Sequence, residues 1–115
     1  MKVKTKFNVI LSSEAEDFLN GLNSKIKDKI IYNIRKSTYI IDPELFKKLD
    51  DTDIWEFRTR YSNIQYRLLA FWDKINDVDT LVIATHGFIK KTQKTPSKEI
   101  TKAEKIRKMY FNSKK

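Results

Sequence analysis

From Ile54 the apolar period becomes two, and this constrains the fold more than any other feature of the chain. Ile54, Glu56, Arg58 and Arg60 fall on one face of an extended segment, and Trp55, Phe57, Thr59 and Tyr61 on the other. Ser62-Asn63 supplies turn chemistry, and Ile64 to Trp72 reads as the partner strand, which predicts a β-hairpin. After a polar turn over Asp73 to Asp79, Thr80 to Phe88 reads as a third strand of the same meander.

The segments around the meander have a different period. Phe7 to Leu11 is a short apolar run compatible with a first strand. Ser13-Glu14-Ala15-Glu16 then reads as a capping box, with Ser13 as N-cap of a helix whose apolar face is Ala15, Phe18, Leu19 and Leu22. Asn23-Ser24 breaks that pattern. Ile26, Ile30, Ile31 and Ile34 mark a second amphipathic helix, with Lys25, Lys27 and Lys29 on its wet side. Asp42-Pro43 is a boundary, and Leu45, Phe46 and Leu49 are expected to anchor the connection to the core. A last helix shows Ile100, Ala103, Ile106 and Tyr110 on one side, and the Asn112 to Lys115 end is expected to fray. The predicted order is β-α-α-β-β-β-α: an α+β fold over residues 1–115, with a mostly antiparallel sheet, an N-terminal helical hairpin and a C-terminal helix.

Charge separates one part of the chain from the rest. Ala84 to Lys115 holds ten Lys or Arg against Glu99 and Glu104, so +8 of the net +9 lies there. Residues 1–36 contribute +4 and residues 37–83 contribute −3. A sequence pI of about 9.7 points to a polyanionic partner, nucleic acid or an acidic protein. With no cysteine, disulfides, thiol nucleophiles and thiolate metal sites are excluded, and His86 as the one histidine leaves no histidine-rich metal site. The N-terminus has only a brief apolar run, no stretch approaches the length of a bilayer span, and a cytoplasmic protein is the expectation. No metal or other cofactor is expected, since glycine-rich phosphate loops are absent and the carboxylates lack metal-site spacing.

Candidate site residues follow from placement. Ala84 to Glu104 runs from an apolar strand through a loop carrying Lys90, Lys91 and Lys94 into a helix start. Thr95 is the expected N-cap and Pro96 the first helical residue, an arrangement that favours a phosphate. Arg67 lies mid-strand between Tyr66 and Leu68, where a guanidinium requires an anionic partner from the protein or from a ligand. Arg58 and Arg60 share a face and either pair with Glu56 and Asp53 or face a ligand. His86 is either a satisfied structural histidine or a proton-transfer group. Trp55, Phe57, Phe71 and Trp72 read as core rather than as base-stacking platforms.

The set Ile54-Trp55-Glu56-Phe57-Arg58, Tyr66-Arg67-Leu68, His86-Gly87-Phe88, Lys90-Lys91-Thr92, Lys94-Thr95-Pro96 and Glu99-Ile100 resembles the RelE/ParE toxin superfamily. Within it the pattern is most similar to the HigB-type branch of bacterial and phage toxin–antitoxin modules. The resemblance covers almost the whole chain. It implies the β-α-α-β-β-β-α fold and an endoribonuclease that cuts mRNA in association with the ribosome. It also implies a neutralising antitoxin, expected here as a HigA-like helix-turn-helix protein. By motif position, it places activity on Arg58, Arg67, Lys90 or Lys91, and Lys94; the candidate catalytic set is Arg58, Arg67, Lys91 and Lys94, with Arg60, His86 and Lys90 as substrate-binding candidates. Some RelE proteins carry a catalytic tyrosine near the C-terminal end. No tyrosine lies in the matching loop here, and Tyr110 is too far into the last helix to replace it.

That inventory suits RNA cleavage without metal. The neighbouring 2′-OH is the nucleophile, arginine stabilises charge on phosphate oxygens, and Lys91, Lys94 or His86 moves protons. Two other classes fit the same charge: a ParE-like toxin that inhibits gyrase by protein contact, and a non-catalytic basic binding module.

Overall fold

The computed structural model describes residues 5–74, 80–91 and 94–114. Its elements are β1 (Asn8–Leu11), α1 (Ser13–Asn20), α2 (Ser24–Tyr39), β2 (Phe46–Lys48), β3 (Trp55–Tyr61), β4 (Ile64–Asp73), β5 (Leu81–Lys90) and α3 (Ser97–Asn112). The strands form one five-stranded sheet in the order β1-β5-β4-β3-β2. β1 runs parallel to β5, and every other neighbour is antiparallel. The α+β expectation is borne out, with one strand added. β2, which pairs Phe46 with Phe57 and Lys48 with Trp55, occupies what the sequence presented as a connection. Three residues are too few to show a period.

Alternation divides the sheet into two faces with different tasks. Phe57, Tyr66, Leu68, Ala70, Val82 and Ala84 meet α1 and α2 through Ala15, Leu19, Ile30 and Ile34. Phe46 completes this core, stacked on Trp55 and Phe57 at 4.8 and 4.5 Å. On the opposite face a smaller cluster of Ile54, Leu69, Phe71 and Ile83 is covered by Ala103 of α3, with Ile100, Ile106 and Tyr110 alongside. α3 covers only part of that second face. The β3–β4 turn has Ser62 and Asn63 at φ 48° and 65°, the left-handed pair that matches the strands' twist.

Helix starts differ from the sequence expectation at both ends of the chain. The N-cap of α1 is Ser12, not Ser13: Ser12 Oγ accepts from the Ala15 N–H and donates to the Thr85 carbonyl. The second bond ties the cap to β5, a partner that no local pattern discloses. α3 begins at Ser97 with Pro96 as N-cap and no side-chain cap, so Thr95 does not cap it. At the C-terminal end, Tyr110 and Lys114 both bond the buried Asp73 carboxylate, which ties the end of α3 to β4. Residues 75–79 of the expected polar turn lie outside the described residues, as does Lys115.

Gly87 allows α1 to approach the sheet. A Cβ placed there would lie 2.2 Å from Cδ2 of Phe18, well inside contact distance. Gly87→Ala is therefore expected to destabilise the fold by about 1–3 kcal/mol through overpacking. Urea unfolding measures it, and an unchanged midpoint would contradict this packing of α1 on β5.

Candidate active site

β3, β4 and β5 present charged groups on the part of the second face beyond the start of α3. β3 supplies Glu56 and Arg58, and β4 supplies Arg67, directly opposite Arg58 in the ladder. On β5 a bulge places Leu69 opposite His86 and Ala70 opposite Ala84, so the phase shifts across Thr85. After it, His86, Phe88 and Lys90 point to the α3 face. Lys90 is thus a strand residue paired with Gln65, not the loop residue expected from sequence.

Glu56 is the centre of the cluster. It is 3% exposed, and Oε1 lies 3.4 Å from Nε of the equally buried Arg67. Oε2 lies 3.6 Å from Nε of Arg58, whose side chain is 29% exposed. Thr95 donates its hydroxyl to Oε1, so the residue expected to cap α3 instead ties the approach to that helix onto β3. Arg67 also donates to Gln65 and to the Tyr66 carbonyl, and Arg58 to the Pro43 carbonyl. Both Nε atoms are buried and stand in ion-pair rather than hydrogen-bond geometry. The anionic partner that Arg67 requires is therefore supplied by the protein.

Two hollows flank Arg58. One, of about 320 Å³, is lined by Lys47, Lys48, Glu56, Arg58, Lys90, Lys94 and Thr95, with Leu49, Asp50 and Ile100 completing its wall. The other, of about 350 Å³, has Arg58, Arg60 and Arg67 in its wall beside Glu44. Burial draws the Lys90 pKa below the ordinary lysine range. The charge of Arg67 adds to that pull, Glu56 opposes it, and Arg58 and Lys47 lower it further. Burial likewise lowers the Arg67 pKa against the pull of Glu56, yet arginine stays protonated at any physiological pH.

The other sequence candidates lie further out. Arg60 is exposed and donates to Asn63 Oδ1 at 2.9 Å. Lys91 is exposed just after β5 and is not among the residues lining either hollow, whereas Lys94 lines the first. Thr92 of the motif lies outside the described residues. His86 is buried under α3, bonded to Thr85, with Nε2 3.4 Å from Glu99 Oε1. Burial and Lys102 push its pKa down, against Glu99 and Glu14. Glu56, Thr95 and Lys47 belong to the cluster and were not singled out as site residues from sequence. For Glu56 the signal was present, because it alternates with Arg58 and Arg60.

The family described as phage-derived protein Gp49-like (DUF891) matches residues 17–108, and the chain belongs to it. This family falls within the RelE/ParE-like superfamily, the toxins of toxin–antitoxin modules, and so implies an antitoxin partner. No curated protein and no solved structure matches the chain. Among the described residues no helix is long and apolar enough to cross a membrane.

Removing the Glu56 charge strands two arginines. Glu56→Gln is expected to cost about 3 kcal/mol, the lower end for breaking a buried pair, because water in the hollows reaches Arg58. The same change in an Arg67→Met background should cost clearly less. Equal losses in both backgrounds, read from urea midpoints, would show that Glu56 and Arg67 are not coupled.

Proposed function

We propose that this chain is a HigB-like toxin of a type II module and a metal-independent endoribonuclease that cleaves mRNA, with the ribosome presenting the substrate. The observation that supports this reading most is the convergence of Arg58, Lys90, Lys94 and Lys47 on one hollow, with Arg67 held behind it by Glu56. A scissile phosphate seated against Arg58 meets a guanidinium edge suited to two phosphate oxygens. Arg67 adds its charge from beneath and is kept in place by its carboxylate partner. In a hollow walled by protein these charges count for more than in open water.

Lys90 is the proton carrier in this scheme. Its surroundings favour the neutral amine more than those of an ordinary lysine, so a fraction is ready to act as base. The neutral Nζ takes the proton of the 2′-OH, the 2′-oxygen forms a bond to phosphorus, and the P–O5′ bond breaks. The Lys94 ammonium gives a proton to the departing 5′-oxygen. The products are a 2′,3′-cyclic phosphate and a 5′-hydroxyl, with charge and protons balanced. Lys91 and Arg60, both exposed, serve as phosphate contacts along the strand. His86, covered by α3 and facing Glu99, supports the start of that helix. A HigA-like helix-turn-helix protein is the expected neutraliser.

Two measurements test this. Induced expression should arrest translation and produce new transcript 5′ ends; DNA damage without new ends would instead indicate gyrase inhibition, and neither effect a binding module. Lys90→Arg keeps the charge, but the guanidinium gives up no proton at physiological pH. This change should lower the cleavage rate about a hundredfold or more and abolish the rise of rate with pH expected of the parent protein. A full rate with an unaltered pH profile would remove Lys90 from the reaction.

A further inference from the structure

A third hollow, of about 390 Å³, lies at the other end of β3 and β4, lined by Lys48, Asp53, Trp55, Trp72, Lys74 and Arg107. Its aromatic floor is built rigidly. The two indoles meet edge to face, with centroids 5.8 Å apart, and are backed by Phe46 and Phe7 at 4.8 and 4.9 Å. Both indoles stay half-buried, although they adjoin the larger core. Around them stand three cations and one carboxylate. The Lys74 ammonium lies 5.3 Å from the Trp72 ring centroid, and Arg107 is 3.8 Å from the exposed Asp53 carboxylate.

A purely structural tryptophan pair would not require this rim. An aromatic surface bordered by cations is what a nucleotide needs: apolar contact for the base and positive charge for its phosphate. Placement connects this hollow to the reaction site. Lys48 lines both, and the neighbouring residues Glu56 and Trp55 of β3 mark one on each face of the sheet. β2 is the outermost strand, so a polynucleotide can pass round its edge from one hollow to the other.

We propose that this third hollow is a nucleotide subsite for single-stranded RNA. It takes a nucleotide flanking the scissile phosphate, with the base against Trp55 and Trp72 and the phosphate against Lys74 and Arg107. The assignment rests on RNA being the substrate, and its test separates the two ideas. Trp55 and Trp72 are the only tryptophans in the chain, so intrinsic emission reports on this hollow alone. The probe is a short single-stranded oligoribonucleotide whose 2′-hydroxyls are methylated, which prevents cleavage. Binding is followed in parallel by tryptophan emission and by anisotropy of an end label on the RNA.

The expected result is saturable quenching with the same midpoint as the anisotropy curve. Lys74→Ala, at an exposed position, and Arg107→Ala, at a half-buried one, should each weaken binding severalfold. Each should also reduce the slope of log affinity against log salt by about 0.7, the value for one phosphate contact on a single strand. Binding by anisotropy with unchanged emission and unchanged salt slopes would overturn the subsite while leaving RNA as substrate. No binding by anisotropy would also overturn the subsite, whereas RNA as substrate stands or falls on the new transcript 5′ ends.

Discussion

The arrangement of this molecule's charged face depends on one buried carboxylate. Two arginines facing each other across β3 and β4 would repel at close range, and one of them is buried. Glu56 makes the pair tenable by pairing with both. The same carboxylate accepts the Thr95 hydroxyl and so fixes where the chain enters α3. Cation placement, the position of the helix start and the shape of the main hollow therefore share one cause. A buried ion cluster of this kind adds little stability compared with an apolar equivalent. Its value lies in holding the cations at a defined place.

The division of the sheet explains why that place is accessible. α1 and α2 cover one face fully enough for an aromatic-rich core, and Gly87 lets α1 settle against β5. α3 covers only the Ile54, Leu69, Phe71 and Ile83 part of the other face. Beyond its first turn the strands carry Arg58, Arg67 and Lys90 instead of apolar groups. The boundary between apolar and cationic positions on β3, β4 and β5 is the boundary of the helix. The Gp49-like family to which the chain belongs lies within a superfamily of toxins.

Much of this was legible in local pattern. The alternation from Ile54 to Tyr61 placed Glu56, Arg58 and Arg60 together, and the 3.6-residue spacing of Ile100, Ala103, Ile106 and Tyr110 identified the buried face of α3. What was hidden depended on distant partners. Thr95 has the sequence of a cap, but its hydroxyl is claimed by a carboxylate 39 positions away. Ser12 is selected over Ser13 by a bond to Thr85. The bulge at Thr85 changes which β5 side chains share a face, so simple alternation from Ile83 would have sent Lys90 to the wrong side. The titration of Lys90 could not be inferred from its neighbours in sequence, because Arg67, Arg58 and Lys47 reach it from three other strands.

Chemistry at the phosphate is the most direct point of test. Purified protein would be mixed with short mRNA on programmed ribosomes, in the presence of a metal chelator confined to levels the ribosome tolerates. The new termini would then be identified by mass spectrometry. If the Glu56-held arginines stabilise an in-line attack by the 2′-OH, the upstream fragment ends in a 2′,3′-cyclic phosphate and the downstream fragment begins with a 5′-hydroxyl. An upstream fragment ending in a 3′-hydroxyl, with phosphate on the downstream 5′ end, would contradict that chemistry.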